Sequence, residues 1–196
     1  MGFQVNDIFG PGSNLVRRFI REHTELQKIV ECCKELGMKI GLVQGTYDLL
    51  HVGHSRYLEE AKRPVDILVV GVDSDEKTKQ KKGKNRPVVS ENERIEILTH
   101  LRHVDLVTLK SSKDPQWHLI KLVKPDVLTA TQATYSTDEL EKLKEFCGEI
   151  IVLAPRATTS TTSRIRRLLL DVAVPVKQKL VEMQKMIDEL TGNHHV

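Results

Sequence analysis

The chain has 196 residues, of which 39% are hydrophobic and 29% are charged, and its formal net charge is +3 at pH 7. This composition is that of a globular domain, and it excludes an intrinsically disordered chain, a fibrous repeat and a disulfide-stapled miniprotein. The apolar runs fall far short of the roughly 20 residues that a membrane helix needs, so no membrane span or anchor is expected.

Apolar runs alternate with helical patterns along most of the chain. The predicted helices cover residues 13–37, 55–61, 91–101, 115–123, 137–146 and the chain from about 163 onward. The predicted strands cover residues 39–43, 66–72, 104–109, 127–129 and 150–153. Continuous apolar strands between helices are typical of a parallel sheet buried on both faces. The pattern therefore predicts an α/β fold, a doubly wound Rossmann-like parallel sheet of about five strands, with ligands beyond the carboxyl ends of the strands.

The two ends of the chain extend beyond this alternation. We expect an N-terminal helical extension over 1–37, a central domain over 38–170 and a helical tail over 171–196. In the tail, Pro175 can break or restart a helix. Apolar residues then recur in steps of three and four, at Val176, Leu180, Met183, Ile187 and Leu190. This stripe either packs on its own domain or forms a subunit contact, and the pattern leaves both open.

The cysteines and the N-terminal residues indicate the cellular compartment of the protein. Cys32, Cys33 and Cys147 are an odd number without metal-like spacing, which favours structural thiols in a reducing compartment over a disulfide framework. The N-terminus has neither a basic lead nor an apolar segment, so no secretory signal is expected. These features predict a cytoplasmic protein.

The segment after the first predicted strand is dense in glycine and polar residues. It reads Gly45-Thr46-Tyr47-Asp48-Leu49-Leu50-His51-Val52-Gly53-His54 and then opens a helix. Gly45 is expected to turn the backbone off the strand, and Gly53 to let a ligand approach the main chain. Both histidines lie at a helix N-terminus, where free N–H groups favour an anion, and imidazole donors suit a phosphate. A zinc pair is disfavoured because a third suitable ligand is missing nearby.

A basic cluster runs from Lys77 to Arg86. It needs either an acidic partner or a solvent-exposed face. Aromatic residues make up only 4% of the chain, too few for the stacking surface of a single-strand nucleic-acid binder, so no nucleic-acid partner is expected.

Residues 45–54 resemble the GxFDxxHxGH signature of the cytidylyltransferase-like nucleotidyltransferase superfamily, with Tyr47 in place of the usual Phe. The likeness continues in family order through residues 82–87, 93–94, 102–105 and 159–165. Together these segments resemble the adenylyltransferase domain of bifunctional ADP-heptose synthase most, and glycerol-3-phosphate cytidylyltransferase next. The likeness covers about residues 25–168.

The resemblance implies an enzyme that transfers a nucleoside monophosphate from ATP or CTP to a phosphorylated small molecule and releases pyrophosphate. An acceptor phosphate oxygen attacks the α-phosphorus in line, so the protein positions the reactants and neutralises charge. Sugar-phosphate adenylyl transfer of the heptose 1-phosphate type is the first expectation, and synthesis of a CDP-alcohol from a polyol phosphate is the second. Mg²⁺ is expected to bridge the phosphates with mostly water ligands, so no protein metal site is expected.

The resemblance also implies residue roles. The catalytic residues are His51, His54 and Lys82, with the histidines donating to the α-phosphate region and the leaving bridge and the lysine binding phosphate from a basic loop. The nucleotide-binding residues are Gly45, Thr46, Tyr47, Asp48, Gly53, Arg94, Thr161, Thr162 and Ser163. The candidate substrate-binding residues are Arg86, Arg102 and Arg156. A subunit contact stays open for Arg102, and a surface role for Arg156.

One segment departs from the family pattern. Residues 129–136 read Thr-Ala-Thr-Gln-Ala-Thr-Tyr-Ser where the related enzymes carry a turn with glycine and aspartate. The change lies at the carboxyl edge of the sheet, where an acceptor would bind, so the acceptor stays open. It also motivates a second function class, a nucleotide-binding regulatory protein without transfer activity.

Two expectations concern the remaining residues. His100, His103 and His118 have no partners at motif spacing, so they are expected to be ordinary surface or core histidines. A homodimer is expected, with the N-terminal helix and the tail stripe as its candidate surfaces.

Overall fold

The computed structural model describes residues 14–132, 134–154 and 161–191. The chain divides into two compact units between Ala157 and Thr158. The first unit contains every described strand, and the second contains one long helix.

After its first two helices, the first unit alternates between strand and helix, except that two helices separate β2 from β3. The helices are α1 (Asn14–Arg18), α2 (His23–Glu35), α3 (Val52–Lys62), α4 (Asp75–Lys82), α5 (Glu91–Thr99), α6 (His118–Val123) and α7 (Thr137–Leu143). The strands are β1 (Ile40–Gly45), β2 (Ile67–Asp73), β3 (Leu106–Lys110), β4 (Val127–Thr131) and β5 (Glu149–Leu153).

The five strands form one sheet in the order β3-β2-β1-β4-β5, and each neighbouring pair is parallel. Val43 in the central strand pairs with Val70 on one side and with Thr129 on the other. The strand order reverses direction between β1 and β4, which places the ligand crevice of a doubly wound sheet at the carboxyl ends of these strands. The predicted fold class is confirmed.

Each face of the sheet is covered by helices because neighbouring strand residues point to opposite sides. Leu42 packs with Leu26 and Val30 of α2, whereas Val43 packs with Leu58 of α3. Leu26 and Leu58 are both fully buried. The N-terminal helices therefore contribute to the hydrophobic core of the sheet.

Two predicted elements need correction. The helix predicted over 13–37 is interrupted at residues 19–22, because Phe19 bridges to Val107 and the N–H of Ile20 donates to the Val107 carbonyl at 2.9 Å. The basic cluster was expected to be a loop, but its first part is the helix α4. Ser74 accepts from the N–H of Lys77 at 3.1 Å and caps this helix, and Gly83 ends it at a φ of 93°.

The second unit is the helix α8 (Thr161–Thr191), which continues through Pro175. Its described apolar side chains are exposed, among them Val176, Leu180, Met183 and Ile187 of the predicted stripe. Among the helices of the described ranges, none has the length and apolar content to span a membrane.

Candidate functional site

A cavity of about 530 Å³ opens at the carboxyl ends of four strands. Its wall is formed by Gly45 of β1, Asp73 of β2, Lys110 of β3 and Thr131 of β4. The α4 helix adds lysines, and the segment after β3 adds Asp114 through Leu119. The cavity therefore occupies the crevice that the strand order predicts.

The motif loop leaves β1 in a different way from the one expected. The left-handed residues are Tyr47, with a φ of 55°, and Leu49, with a φ of 47°, whereas Gly45 does not have positive φ. A Cβ added to Gly45 would lie 3.1 Å from the ring of Tyr47. Gly45 is thus explained by the close packing of the Tyr47 ring, which is 4% exposed.

The two histidines of the motif form a reciprocal cap at the start of α3. The N–H of Gly53 donates to Nδ1 of His51 at 3.1 Å, and the N–H of His51 donates to Nδ1 of His54 at 3.3 Å. Because each Nδ1 accepts from the backbone, a neutral imidazole at either position carries its proton on Nε2. The ring centroids are 4.1 Å apart. The arrangement orients two Nε2–H donors from one helix N-terminus, which suits an anion.

Asp48 is buried and organises the segment before α5. Its carboxylate accepts from the N–H groups of Val88 and Val89 at 3.0–3.1 Å, and Nη1 of Arg86 lies 3.3 Å from it. The motif loop and residues 86–89 are therefore held together by a carboxylate with several donors. The guanidinium of Arg86 is directed to Asp48 and is largely enclosed.

Arg94 of α5 is 1% exposed. Its guanidinium donates to the carbonyl oxygen of Thr46, to that of Asp73 at 3.0 Å and to the carboxylate of Asp75 at 2.6 Å. The Nε–H donates to Val89 at 2.9 Å. Arg94 thus holds together the ends of β1 and β2, and its expected contact with the nucleotide stays a prediction.

Three lysines of α4 line the cavity, namely Lys77, Lys81 and Lys82. The spacing of four residues between Lys77 and Lys81 places both on one helix face. Partial burial, together with the nearby Arg86, lowers the pKa of Lys82. The cationic wall of the cavity therefore comes from α4, the helix that follows β2.

Asp73 and Lys110 form an ion pair on the cavity wall, at 3.1 Å, and Lys81 lies 3.2 Å from the same carboxylate. Burial lowers the pKa of Lys110 to about 8, against the attraction of Asp73. Burial alone would raise the pKa of Asp73, but Lys110 and Lys81 outweigh it, and the pKa lies below its usual value. The motifs did not indicate Asp73 or Lys110, although both stand at carboxyl ends of predicted strands.

The segment that departs from the family pattern lies on the same wall. Thr131, Thr134 and Tyr135 line the cavity, and the Tyr135 hydroxyl accepts from the side-chain amide of Gln44 at 3.1 Å. Hydroxyl groups thus stand where the related enzymes were expected to carry glycine and aspartate, and the amide of Gln44 in β1 lies beside them. Such groups hydrogen-bond to an uncharged polar ligand such as a polyol.

The structure brings some of the expected site residues together and leaves others apart. Gly45, Thr46 and Lys82 line the cavity, while His51 and His54 stand at the start of α3. Arg102 is exposed in the turn after α5. Thr161, Thr162 and Ser163 begin α8, in the second unit, and Arg156 lies outside the described residues.

Comparison with protein families and curated proteins gives consistent matches. A family model described as cytidylyltransferase-like matches residues 42–183. The bifunctional protein HldE of Desulfatibacillum aliphaticivorans is 39% identical over 143 residues, which are 72% of this chain and 29% of that protein. HldE of Geobacter metallireducens is 34% identical over 172 residues, 85% of this chain and 33% of that protein. The chain thus spans about three tenths of the length of these relatives.

Solved structures share the fold. The lipopolysaccharide core biosynthesis protein from Thermoplasma volcanium is 31% identical with a TM-score of 0.54, and the match covers 62% of this chain and 100% of that one. Pantoate-beta-alanine ligase from Francisella tularensis, solved with an ATP compound and beta-alanine, is 18% identical with a TM-score of 0.56. That match covers 70% of this chain and 66% of the ligase, and it concerns the fold alone.

Proposed function

Because the chain belongs to the cytidylyltransferase-like family, we propose that it is a nucleotidyltransferase. It moves a nucleoside monophosphate from a nucleoside triphosphate to a phosphorylated small molecule and releases pyrophosphate. The acceptor phosphate oxygen forms a bond to the α-phosphorus as the bond to the pyrophosphate oxygen breaks. No covalent bond to the protein is required.

The observation that carries this proposal is the reciprocal cap of His51 and His54. With each Nδ1 accepting from a backbone N–H, the neutral rings offer Nε2–H donors whose orientation is fixed before a ligand binds. Donors fixed in advance stabilise charge that develops on phosphate oxygens at little cost of reorganisation. We assign both histidines to the α-phosphate and the leaving bridge.

The lysines of the cavity fit the rest of a triphosphate. Lys77, Lys81 and Lys82 bring positive charge to one wall, and we assign Lys82 to a phosphate. The carboxylates of Asp48 and Asp73 are already engaged by N–H groups and cationic side chains. This fits Mg²⁺ that arrives bound to the triphosphate and water, where it neutralises phosphate charge, rather than a carboxylate cage.

We propose ATP as the donor and a sugar 1-phosphate of the heptose type as the acceptor. The matched HldE proteins and the resemblance to the adenylyltransferase domain of ADP-heptose synthase favour this pair. The hydroxyls of Thr131, Thr134 and Tyr135 on the cavity wall suit the hydroxyls of a sugar. CTP with glycerol 3-phosphate or another alcohol phosphate is the alternative pair.

A second function class is favoured by the same segment. The hydroxyl groups of Thr131 and Thr134 form a hydrogen bond of 2.8 Å to each other. These residues stand in place of the expected glycine- and aspartate-containing turn. A protein that retained the phosphate site but lost acceptor chemistry would bind the nucleotide and regulate a partner. This alternative predicts nucleotide binding without release of pyrophosphate.

Three further assignments accompany the proposal. We place the protein in the cytoplasm, since Cys32, Cys33 and Cys147 are free thiols. We propose a homodimer that uses the apolar stripe of α8, because an exposed apolar helix stripe is typical of subunit contacts. Arg86, Arg102 and Arg156 remain candidates for the acceptor phosphate, and Thr161, Thr162 and Ser163 for the β- and γ-phosphates.

The deciding experiment is a pyrophosphate-release assay with Mg²⁺ that compares ATP with CTP. The acceptors are heptose 1-phosphate, other sugar 1-phosphates, glycerol 3-phosphate, phosphocholine and phosphoethanolamine. Release with ATP and a sugar 1-phosphate is the expected result. Release only with CTP and an alcohol phosphate would select the alternative pair, and tight ATP binding without release would select the regulatory class.

A further inference from the structure

Three side chains without a role in the proposed phosphate chemistry converge beside the cavity. His23 begins α2, His118 begins α6, and Asp114 lies in the segment between β3 and α6. One ligand atom from each residue lies within 4.8 Å of those of the other two, and all three residues are partly buried. His23 and His118 are 95 positions apart in the chain, so only the folded sheet brings them together.

The two imidazoles are oriented like metal ligands. Nε2 of His23 lies 2.9 Å from the carbonyl oxygen of Leu109, which can only accept, so this nitrogen carries the proton of a neutral ring. Nδ1 of His23 therefore presents its lone pair, and it faces Nε2 of His118 at 3.1 Å. Two nitrogen ligands of one tetrahedral ion, each about 2.0 Å from it, lie about 3.3 Å apart. The observed separation is close to that value.

Neighbouring groups hold the three side chains in place. The carbonyl of Leu109 fixes the His23 ring, and the carboxylate of Asp114 accepts from the N–H of Ser111 at 2.7 Å. Trp117, directly before His118, has a φ of 59°, a conformation that is unfavourable for an aromatic residue. Hydrogen bonds of this kind around the ligands are typical of metal sites, where they fix ring orientation and tautomer.

We propose that His23, Asp114 and His118 bind a divalent transition-metal ion of the zinc type. Two imidazole nitrogens and one carboxylate oxygen suit Zn²⁺ or Co²⁺, whereas Mg²⁺ prefers oxygen ligands in an octahedron. The ion is thus distinct from the Mg²⁺ that accompanies a nucleotide. Asp114 and His118 also line the cavity, so the ion is held at its wall and ties the start of α2 to the segment after β3.

Binding requires one rearrangement of protons. Without the ion, Nε2–H of a neutral His118 donates to Nδ1 of His23. With the ion, Nε2 of His118 loses this proton to solvent while its Nδ1 takes one up, so the neutral ring changes tautomer without a net change in protons. Both facing nitrogens then offer lone pairs to the metal.

The test is a titration of the full chain after dialysis against a chelator. Co²⁺ reports its coordination through visible absorption, and Zn²⁺ is then added in competition. We expect one equivalent of tightly bound ion, and binding weakened by about a hundredfold or more in His23→Gln and in His118→Gln. His100→Gln, at an exposed position, and the double variant His194→Gln/His195→Gln are the controls and should bind like wild type.

Thermal unfolding separates loss of the site from loss of the fold. Zn²⁺ should raise the Tm of the wild-type protein and of His100→Gln, because an ion that binds only the folded state stabilises it. The Tm of His118→Gln and of Asp114→Asn should not respond. Absence of tight binding by the wild-type protein, or undiminished binding by His23→Gln and His118→Gln, would overturn the site. Neither readout depends on nucleotidyl transfer, so the result is independent of the proposed function.

Discussion

Nη2 of Arg94 donates to the carbonyl oxygen of Asp73 at 3.0 Å and so joins the start of α5 to the carboxyl end of β2. The same guanidinium donates to Thr46 in the motif loop and to Asp75 at the start of α4. The two segments that we assign to phosphate binding, the motif loop and α4, are thereby fixed to one buried cation. A rigid attachment of this kind is what precise positioning of reacting groups requires.

Replacement of Arg94 should therefore act first on stability. We expect Arg94→Met to lower the free energy of unfolding by roughly 3–5 kcal/mol, because it leaves buried carbonyl groups and Asp75 without their donor. Urea unfolding followed by circular dichroism measures this change. An Arg94 variant with wild-type stability but no nucleotide affinity would instead indicate direct contact with the ligand.

The proposed catalytic role of His51 can be separated from its role as a helix cap. His51→Asn keeps an acceptor for the N–H of Gly53, since asparagine is a good N-cap residue, but it removes the Nε2–H donor. We expect its free energy of unfolding to stay within about 1 kcal/mol of wild type and its turnover to fall by about a hundredfold. Pyrophosphate release and urea unfolding measure the two quantities. Wild-type turnover in His51→Asn would remove His51 from the proposed mechanism.

Lys82 has a matched control on its own helix. Lys82→Met and Lys79→Met remove the same charge from α4, but of these two lysines only Lys82 lines the cavity. We expect about a hundredfold loss of turnover for Lys82→Met, because a cation next to a reacting phosphate is lost, and little change for Lys79→Met. Equal effects in both variants would mean that only the overall charge of the helix matters.

The hydroxyl of Tyr47 gives a prediction about stability. It is buried, and among the described residues it has no hydrogen-bond partner, whereas the Tyr57 hydroxyl donates to the Thr129 carbonyl at 3.0 Å. Tyr47→Phe should be neutral or raise the free energy of unfolding by about 1 kcal/mol, while Tyr57→Phe should lower it by about 1 kcal/mol. Thermal and urea unfolding of both variants provide the comparison. A clear loss of stability in Tyr47→Phe would show that the hydroxyl has a partner.

Lys110 should make nucleotide affinity depend on pH. Because its pKa is about 8, it is mostly charged at pH 7 and mostly neutral at pH 9. We expect the affinity for ATP to fall by up to about tenfold over this range, with a proton taken up on binding above pH 8. Calorimetry at both pH values should show this loss for the wild type and for Lys113→Gln, and a smaller loss for Lys110→Gln.

In the protein without nucleotide, Lys110 should make the free energy of unfolding rise with pH, whereas it should make nucleotide affinity fall with pH. Its pKa is about 8 in the folded state, below the ordinary value of 10.5. Between these values the unfolded chain binds more protons, so the contribution of Lys110 to the free energy of unfolding rises with pH. Urea unfolding at pH 7.5 and pH 9.5 should show this rise in the wild type relative to Lys110→Gln.

Sequence patterns were sufficient to predict the strands and the family. The five strands are largely apolar runs, and the order of polar motifs after them predicted the cytidylyltransferase-like family, which is confirmed. The α4 helix was missed because its sequence, DEKTKQKK, has no apolar period and only Thr78 is buried. Its capping residue Ser74, its acidic first turn and Gly83 were the signals that could have revealed it.

Other features depend on contacts between distant parts of the chain. The interruption after α1 arises because Ile20 bonds to Val107, and local periodicity contains no trace of that contact. The enclosure of Arg94 likewise follows from groups contributed by three separate segments, so a helix position alone could not distinguish it from a surface arginine. His118 was expected to be an ordinary histidine because its partner His23 lies on another element.

The place of β1 in the sheet has a consequence for biosynthesis. As the chain emerges from the ribosome, β1, β2 and β3 can pair first, while the edge of β1 that will pair with β4 stays unpaired. Until residues 127–131 are made, Gly41, Leu42 and Val43 present an open apolar edge of the kind that promotes aggregation. The cavity is incomplete for the same period, so the nucleotide binding that we propose requires that this edge has first closed.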